Sequence, residues 1–294
     1  MVSRKLWSAS PVLMATTVLM LVAFLASAAG IVLDHRTITG VPAWLKPAKF
    51  AISSAIFTAT MAWLFTYITV WPRVIRITGW LLAAVLVLEV AIIDVQAARG
   101  TISHFNVATP LDAVLFTVMG AAIGNLWLGS VVVLAALWQQ KFDDRAWGWW
   151  LRMGMLVNVM GALAGGLMLG PTAAQAAAMR AGQAVSVIGG HTVGGADGGP
   201  GLAGTGWSTQ HGDLRVPHFL GLHGAQIIPF IGWLVGRRRS SGLAVAAGAS
   251  YLALVGILTW QSLRGQSVVQ PDGATAIALG VWLAATLLAS WRMR

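Results

Sequence analysis

The sequence predicts an all-α, polytopic membrane bundle of about eight transmembrane helices. Two observations predict this class. The 294 residues are 57% hydrophobic and 10% charged, against about 25% charge in an ordinary soluble domain. Apolar runs of about 18 or more residues, each long enough to cross roughly 30 Å of hydrocarbon, also recur along the chain.

The runs fall at 11–33, 50–70, 76–98, 110–138, 147–170, 217–236, 241–262 and 273–291. Each is expected to be helical, because a backbone in lipid must satisfy its own hydrogen bonds. The first follows Arg4-Lys5 and ends near "ASA" at 26–28, features shared with a cleavable signal peptide. Seven further spans make a retained helix the expectation. The third, "GWLLAAVLVLEVAIIDVQAARG", carries Glu89 and Asp94 within its apolar length. Pro110 opens the fourth and Pro217 the sixth, both suited to a first helical turn. Between the fifth and sixth lies a long loop, 171–217. It holds a possible surface helix in "PTAAQAAAMRAGQAVSV" and then a glycine-rich stretch around Trp207. A lid and a flexible linker are both open readings for that stretch.

The basic residues orient the bundle. With a cytoplasmic N-terminus, the inner side holds 12 of the 19 Lys and Arg, among them Arg4, Lys5, Arg73, Arg76, Arg237, Arg238, Arg239, Arg292 and Arg294. That bias predicts both termini inside a plasma (inner) membrane. It also accounts for the formal charge of +10 without nucleic acid as a partner. The absence of cysteine excludes disulfides, thiolate metal sites and covalently attached c-type haem.

Two halves are legible, 1–140 and 141–294. "QAARG" (96–100) ends the third span and "QSLRG" (261–265) the seventh; "PAKF" (47–50) and "VPHF" (216–219) open the second and sixth; "TPLD" (109–112) and "VQPD" (269–272) open the fourth and eighth. Each pair sits at the same end of corresponding helices. Two parallel four-helix pseudo-repeats, related by an axis along the membrane normal, would produce this spacing. In that alignment His218 matches Lys49 and His223 matches Ser54.

All six histidines fall on or near the predicted outer face. At 100° per residue, Glu89, Gln96 and Arg99 share one helix face, and Asp94 lies about 140° round from Glu89. A carboxylate roughly 15 Å below Arg99 is costly and needs a partner or a cavity. Asp112 suits the first turn of the fourth span, where the helix dipole favours an anion. His223 and Gln226 are three apart on one face, so the amide is placed to set the ring's tautomer. His218, five before His223, lacks the i, i+4 spacing of a chelating pair.

An outward-opening polar site lined by Glu89, Gln96, Arg99, His104, His223 and Gln226 is the functional expectation. Three readings stay open, and they leave undecided whether the protein is an enzyme. A b-type haem redox protein would set His223 against His104 or His35 as axial ligands, with Arg99, Arg36 or Arg215 on the propionates and a quinone or other small molecule as electron partner. A transporter or receptor for a small polar solute would use Glu89 and Arg99. An intramembrane lipid hydrolase would hold zinc on His104, His218 or His223 with Asp112, the catalytic carboxylates being that Asp112 and Glu89 as general base.

Overall fold

The computed structural model describes residues 2–236 and 240–292. Arg237, Arg238, Arg239 and Arg294, counted above in the basic bias, lie outside the described residues. The chain divides into two compact units: residues 1–140 with 184–187, and residues 141–183 with 188–294.

The first unit opens with a short helix, α1 (Val2–Ala9), followed by α2 (Pro11–Leu33). Ser10 caps α2 by accepting from the Leu13 amide at 3.4 Å. A two-residue hairpin, β1 (Thr37–Ile38) with β2 (Val41–Pro42), leads into α3 (Leu45–Phe65). Then come α4 (Pro72–Ala98) and α5 (Pro110–Gln139), each with proline in its first turn. Helix α3 packs on α2 and α4, and α4 also packs on α2 and α5. Met20, Ala51, Ala55 and Val90 form a core cluster where α2, α3 and α4 meet.

The second unit starts with α6 (Arg145–Gly166), capped by Asp144 through the Trp147 amide at 2.9 Å. The surface helix expected in the long loop is α7 (Ala173–Arg180), opened by a Thr172–Gln175 capping box. A small ladder, β3 (Thr192–Val193) with β4 (Gly212–Asp213), closes the glycine-rich segment. After it come α8 (Arg215–Leu222), α9 (Gly224–Leu234), α10 (Ser241–Leu263) and α11 (Gly273–Arg292). Helix α6 packs on α8, α9 and α10, while α10 packs on α8, α9 and α11. With α8 and α9 counted as one rod, the pairings repeat those of the first unit.

Among the described residues, six helices are long and apolar enough to cross a membrane: α2, α3, α4, α5, α10 and α11. The expectation of eight spans therefore divides. Helix α6 exists, but Arg145, Arg152, Asn158 and its glycines keep it outside that set. The expected span 217–236 is two helices that meet at His223. Gly221 lies against Gly161 so closely that a Cβ on either would sit about 2.2–2.3 Å from the other's Cα. That approach needs glycine on both sides. The carbonyls at the break find partners elsewhere: Asn158 Nδ2 donates to Leu222 O at 2.7 Å, and Tyr251 Oη to Leu220 O at 3.0 Å.

Helix α3 begins five residues before the expected start at 50 and ends at Phe65. Gln140 Oε1 accepts from the Thr69 and Val70 amides at 2.8 and 3.3 Å, which holds the turn after Phe65 out of the helix. The early start places Lys46 and Lys49 on the first turns of α3.

The two "QxxRG" turns have one geometry. Gln96 Nε2 donates to Ile102 O at 3.5 Å, and Gln261 Nε2 to Ser267 O at 2.9 Å. The Thr101 amide bonds Gln96 O at 3.0 Å and the Gln266 amide bonds Gln261 O at 3.2 Å. Gly100 and Gly265 both have φ of 75°, the left-handed conformation that glycine adopts without strain. Proline takes the third position of α3 (Pro47) and of α8 (Pro217). That register differs by one residue from the alignment that pairs His223 with Ser54.

Candidate functional site

The first unit concentrates its buried polar chemistry where α4 meets the 99–109 turn. Glu89 is 1% exposed. His104 Nε2 lies 3.3 Å from Glu89 Oε1, an ion-pair separation, yet neither carboxylate oxygen accepts a hydrogen bond. The other ring nitrogen, Nδ1, lies 3.1 Å from Ser103 Oγ, and Ser103 is buried. His104 is brought inward by a turn whose next residue, Phe105, has φ of 65°. A buried aromatic residue in the left-handed region stores strain, which a structure retains where the surroundings enforce it.

Aromatic rings flank the imidazole, with Phe50 at 5.3 Å and Phe105 at 6.1 Å between centroids. Lys46 Nζ lies 5.7 Å from the Phe50 centroid, and Lys46 is the cation whose charge acts on Glu89. Lys46 and Phe50 were not among the expected site residues. Their i, i+4 spacing was the available signal, visible only once α3 is started at Leu45.

About two turns further along α4, Gln96 and Arg99 belong to a different cluster. Gln96 is fully buried and donates from Nε2 to Asp112 Oδ1 at 2.9 Å. Arg99 donates to the same oxygen at 2.7 Å and also to Gln96 Oε1. Thr109 Oγ1 donates to Asp112 Oδ2 at 2.6 Å while accepting from the Asp112 amide. Asp112 is thus anchored at the α5 N-terminus, where the helix dipole also favours its charge. Asn106 ties the turn to itself through Thr101 Oγ1 at 3.1 Å and Ile102 O at 2.9 Å. Asp94 lies on another side of α4, half-buried, with Oδ1 accepting no hydrogen bond.

The second unit holds His218, His223 and Gln226. His218 Nδ1 lies 3.2 Å from Gly161 O. A carbonyl only accepts, so Nδ1 carries the proton. The ring packs over Gly165, where a Cβ would meet it at 2.7 Å. His218 is a packed histidine of the α6–α8 contact. His223 sits at the helix break, hydrogen-bonded to the Gln226 side chain and edge-on to Phe219 at 4.3 Å. Trp207 also packs edge-on against Phe219, at 5.5 Å.

The glycine-rich loop under Trp207 is organised by two carboxylates. Asp197 accepts from the His191 and Thr192 amides at 3.0 and 2.8 Å and pairs with His191 Nδ1 at 3.0 Å. Burial works against the ionised form of Asp197, but these bonds outweigh it and hold the carboxyl well below the usual range. Asp213, fully buried, accepts from the Ser208 amide at 2.8 Å and pairs with Arg215 at 2.6 Å. These bonds give the segment a defined internal order.

Both ring nitrogens of His104 face protein groups, Glu89 on one side and Ser103 on the other. Among the described residues no three His, Cys, Asp or Glu side chains gather as a metal centre would require. No family model, curated protein or solved structure matches this chain.

Proposed function

We propose that the protein is a membrane transporter or receptor for a small polar solute, with Glu89, His104 and Lys46 as the binding groups. The observation that carries this reading is Glu89, buried at mid-helix with no hydrogen bond to either oxygen. An ionisable side chain left unsatisfied at that depth is expensive, and its default reading is a ligand or ion site. The strained turn at Phe105, which presents His104 to it, supports the same assignment.

The second unit adds a supporting feature. A discontinuous helix whose free carbonyls are held by side chains from neighbouring helices is a recurrent element of transporter sites. The break at His223, with Asn158 and Tyr251 as those side chains, has this form. The matching helix pairings and the two equivalent "QxxRG" turns support an origin by duplication, as two parallel pseudo-repeats. The basic bias favours a plasma membrane location with both termini cytoplasmic, which puts the 99–109 turn and Trp207 outside.

The test uses the purified full-length chain in detergent. Its melting temperature is recorded against a panel of free amino acids, small amines and small carboxylates. The expected result is at least one stabilising solute whose effect disappears in Glu89→Gln. A visible Soret band, or stoichiometric zinc by metal analysis, would overturn the reading in favour of the haem or the hydrolase alternative.

A further inference from the structure

We propose that the ion bound at this site is a proton, and that Glu89, His104 and Ser103 form a relay carrying it to the 99–109 turn. The proposal rests on Glu89 being a binding group, and it names what couples to the solute.

Three side chains lie in line through the two nitrogens of one imidazole. Glu89 Oε1 to His104 Nε2 is 3.3 Å, and His104 Nδ1 to Ser103 Oγ is 3.1 Å. The first contact becomes a hydrogen bond when the imidazole N–H turns onto the carboxylate oxygen. In the outward step the Glu89 O–H bond breaks and an Nε2–H bond forms. At the same time Nδ1–H breaks and its proton passes to Ser103 Oγ, whose own proton leaves to water at the turn. Glu89 ends as a carboxylate, the imidazole is again neutral with its proton on Nε2, and serine is unchanged. One proton has left.

The surroundings argue against a metal cation as the ion. Sodium or calcium needs several oxygens around it, and the other polar oxygens of this end are committed. Gln96 Oε1 accepts from Arg99, Asp112 accepts from Arg99, Gln96 and Thr109, and Asn106 Oδ1 accepts from the Ala108 amide at 3.1 Å. What faces Glu89 is cationic or ring nitrogen, from Lys46 and His104. A second cation would be repelled, whereas a proton neutralises the carboxyl in place.

Few titratable groups lie on the elements packed around the pair. Helix α2 has no titratable side chain between Pro11 and Leu33. Helix α3 contributes Lys46 and Lys49, α5 contributes Asp112, already bonded to Arg99, and α4 contributes Asp94 on another side. Lys46 is the cation positioned to steady Glu89 once it ionises.

Infrared difference spectroscopy on the full chain in lipid vesicles, titrated between about pH 5 and 9, tests this directly. The expected signal is a carboxylic-acid C=O band that appears as pH falls, is lost in Glu89→Gln and is kept but shifted in Glu89→Asp. In Ser103→Ala the band should persist while its hydrogen–deuterium exchange slows. No titrating band, or one unchanged in Glu89→Gln, overturns the proton assignment, and unaltered exchange in Ser103→Ala overturns the relay. A solute that stabilises the wild type but not Glu89→Gln, without such a band, would sink the proton proposal and leave the solute reading standing. A Glu89 band with no stabilising solute would uphold proton binding and sink the solute reading.

Discussion

Glu89 and His104 are separated by fifteen residues of sequence and by 3.3 Å in space, carboxylate oxygen to imidazole Nε2. Both belong to the first unit, so the contact is made by a single helix and the turn that follows it. The carboxylate gains one ion-pair partner and no hydrogen bond, an arrangement that contributes little to stability.

The first prediction follows from that imbalance. Glu89→Gln keeps the shape and removes a charge that burial penalises. Its unfolding free energy is expected to be unchanged or raised by up to about 1 kcal/mol, as measured by thermal melting in detergent. Solute binding should be lost in the same variant. A drop of about 1–3 kcal/mol, the cost of a broken buried hydrogen bond, would instead make Glu89 a structural brace.

Helix packing in the second unit gives a paired prediction. A Cβ at Gly161 would sit about 2.2 Å from Gly221 Cα, backbone against backbone, whereas one at Gly256 meets nothing within 4 Å. Gly161→Ala should therefore destabilise by about 1–3 kcal/mol through overpacking. Gly256→Ala should stabilise by up to about 1 kcal/mol through helix propensity. Equal melting shifts for the two variants would contradict the close α6–α8 crossing.

The loop that carries Trp207 should respond to acid. Asp197 is held below its ordinary range in the folded chain by its bonds to His191 and Thr192, against the cost of burial. A lowered folded value means its contribution is complete above the unfolded carboxylate value, near about 3.9. It fades as the pH falls through the lower, folded value. A spin label on Thr205→Cys, in a chain with no other cysteine, should be ordered at neutral pH and become mobile only below about pH 4. With Asp197→Asn added it should be mobile throughout. A label already mobile at neutral pH in the otherwise native chain would return this segment to the linker reading.

Much of this was written locally in the sequence. Apolar length gave the helix at 11–33 with its observed limits and placed the fourth helix within a residue of its end. The 100° period put Glu89, Gln96 and Arg99 on one face of α4, and Pro110 with Asp112 marked the cap of α5. These features follow from the cost of exposing backbone or charge to hydrocarbon, which is paid residue by residue and leaves its trace in linear order.

Tertiary structure decided the rest. That Gln96 and Arg99 serve to anchor Asp112, while Glu89 is left to His104 and Lys46, depends on how the 99–109 turn folds back and where α3 begins. The break at His223 depends on a glycine seam with α6 and on Asn158 and Tyr251, contributed from 64 and 31 residues away. No local period encodes such partners. A freed carbonyl is tolerable only where another helix delivers a donor, and that delivery is a property of packing.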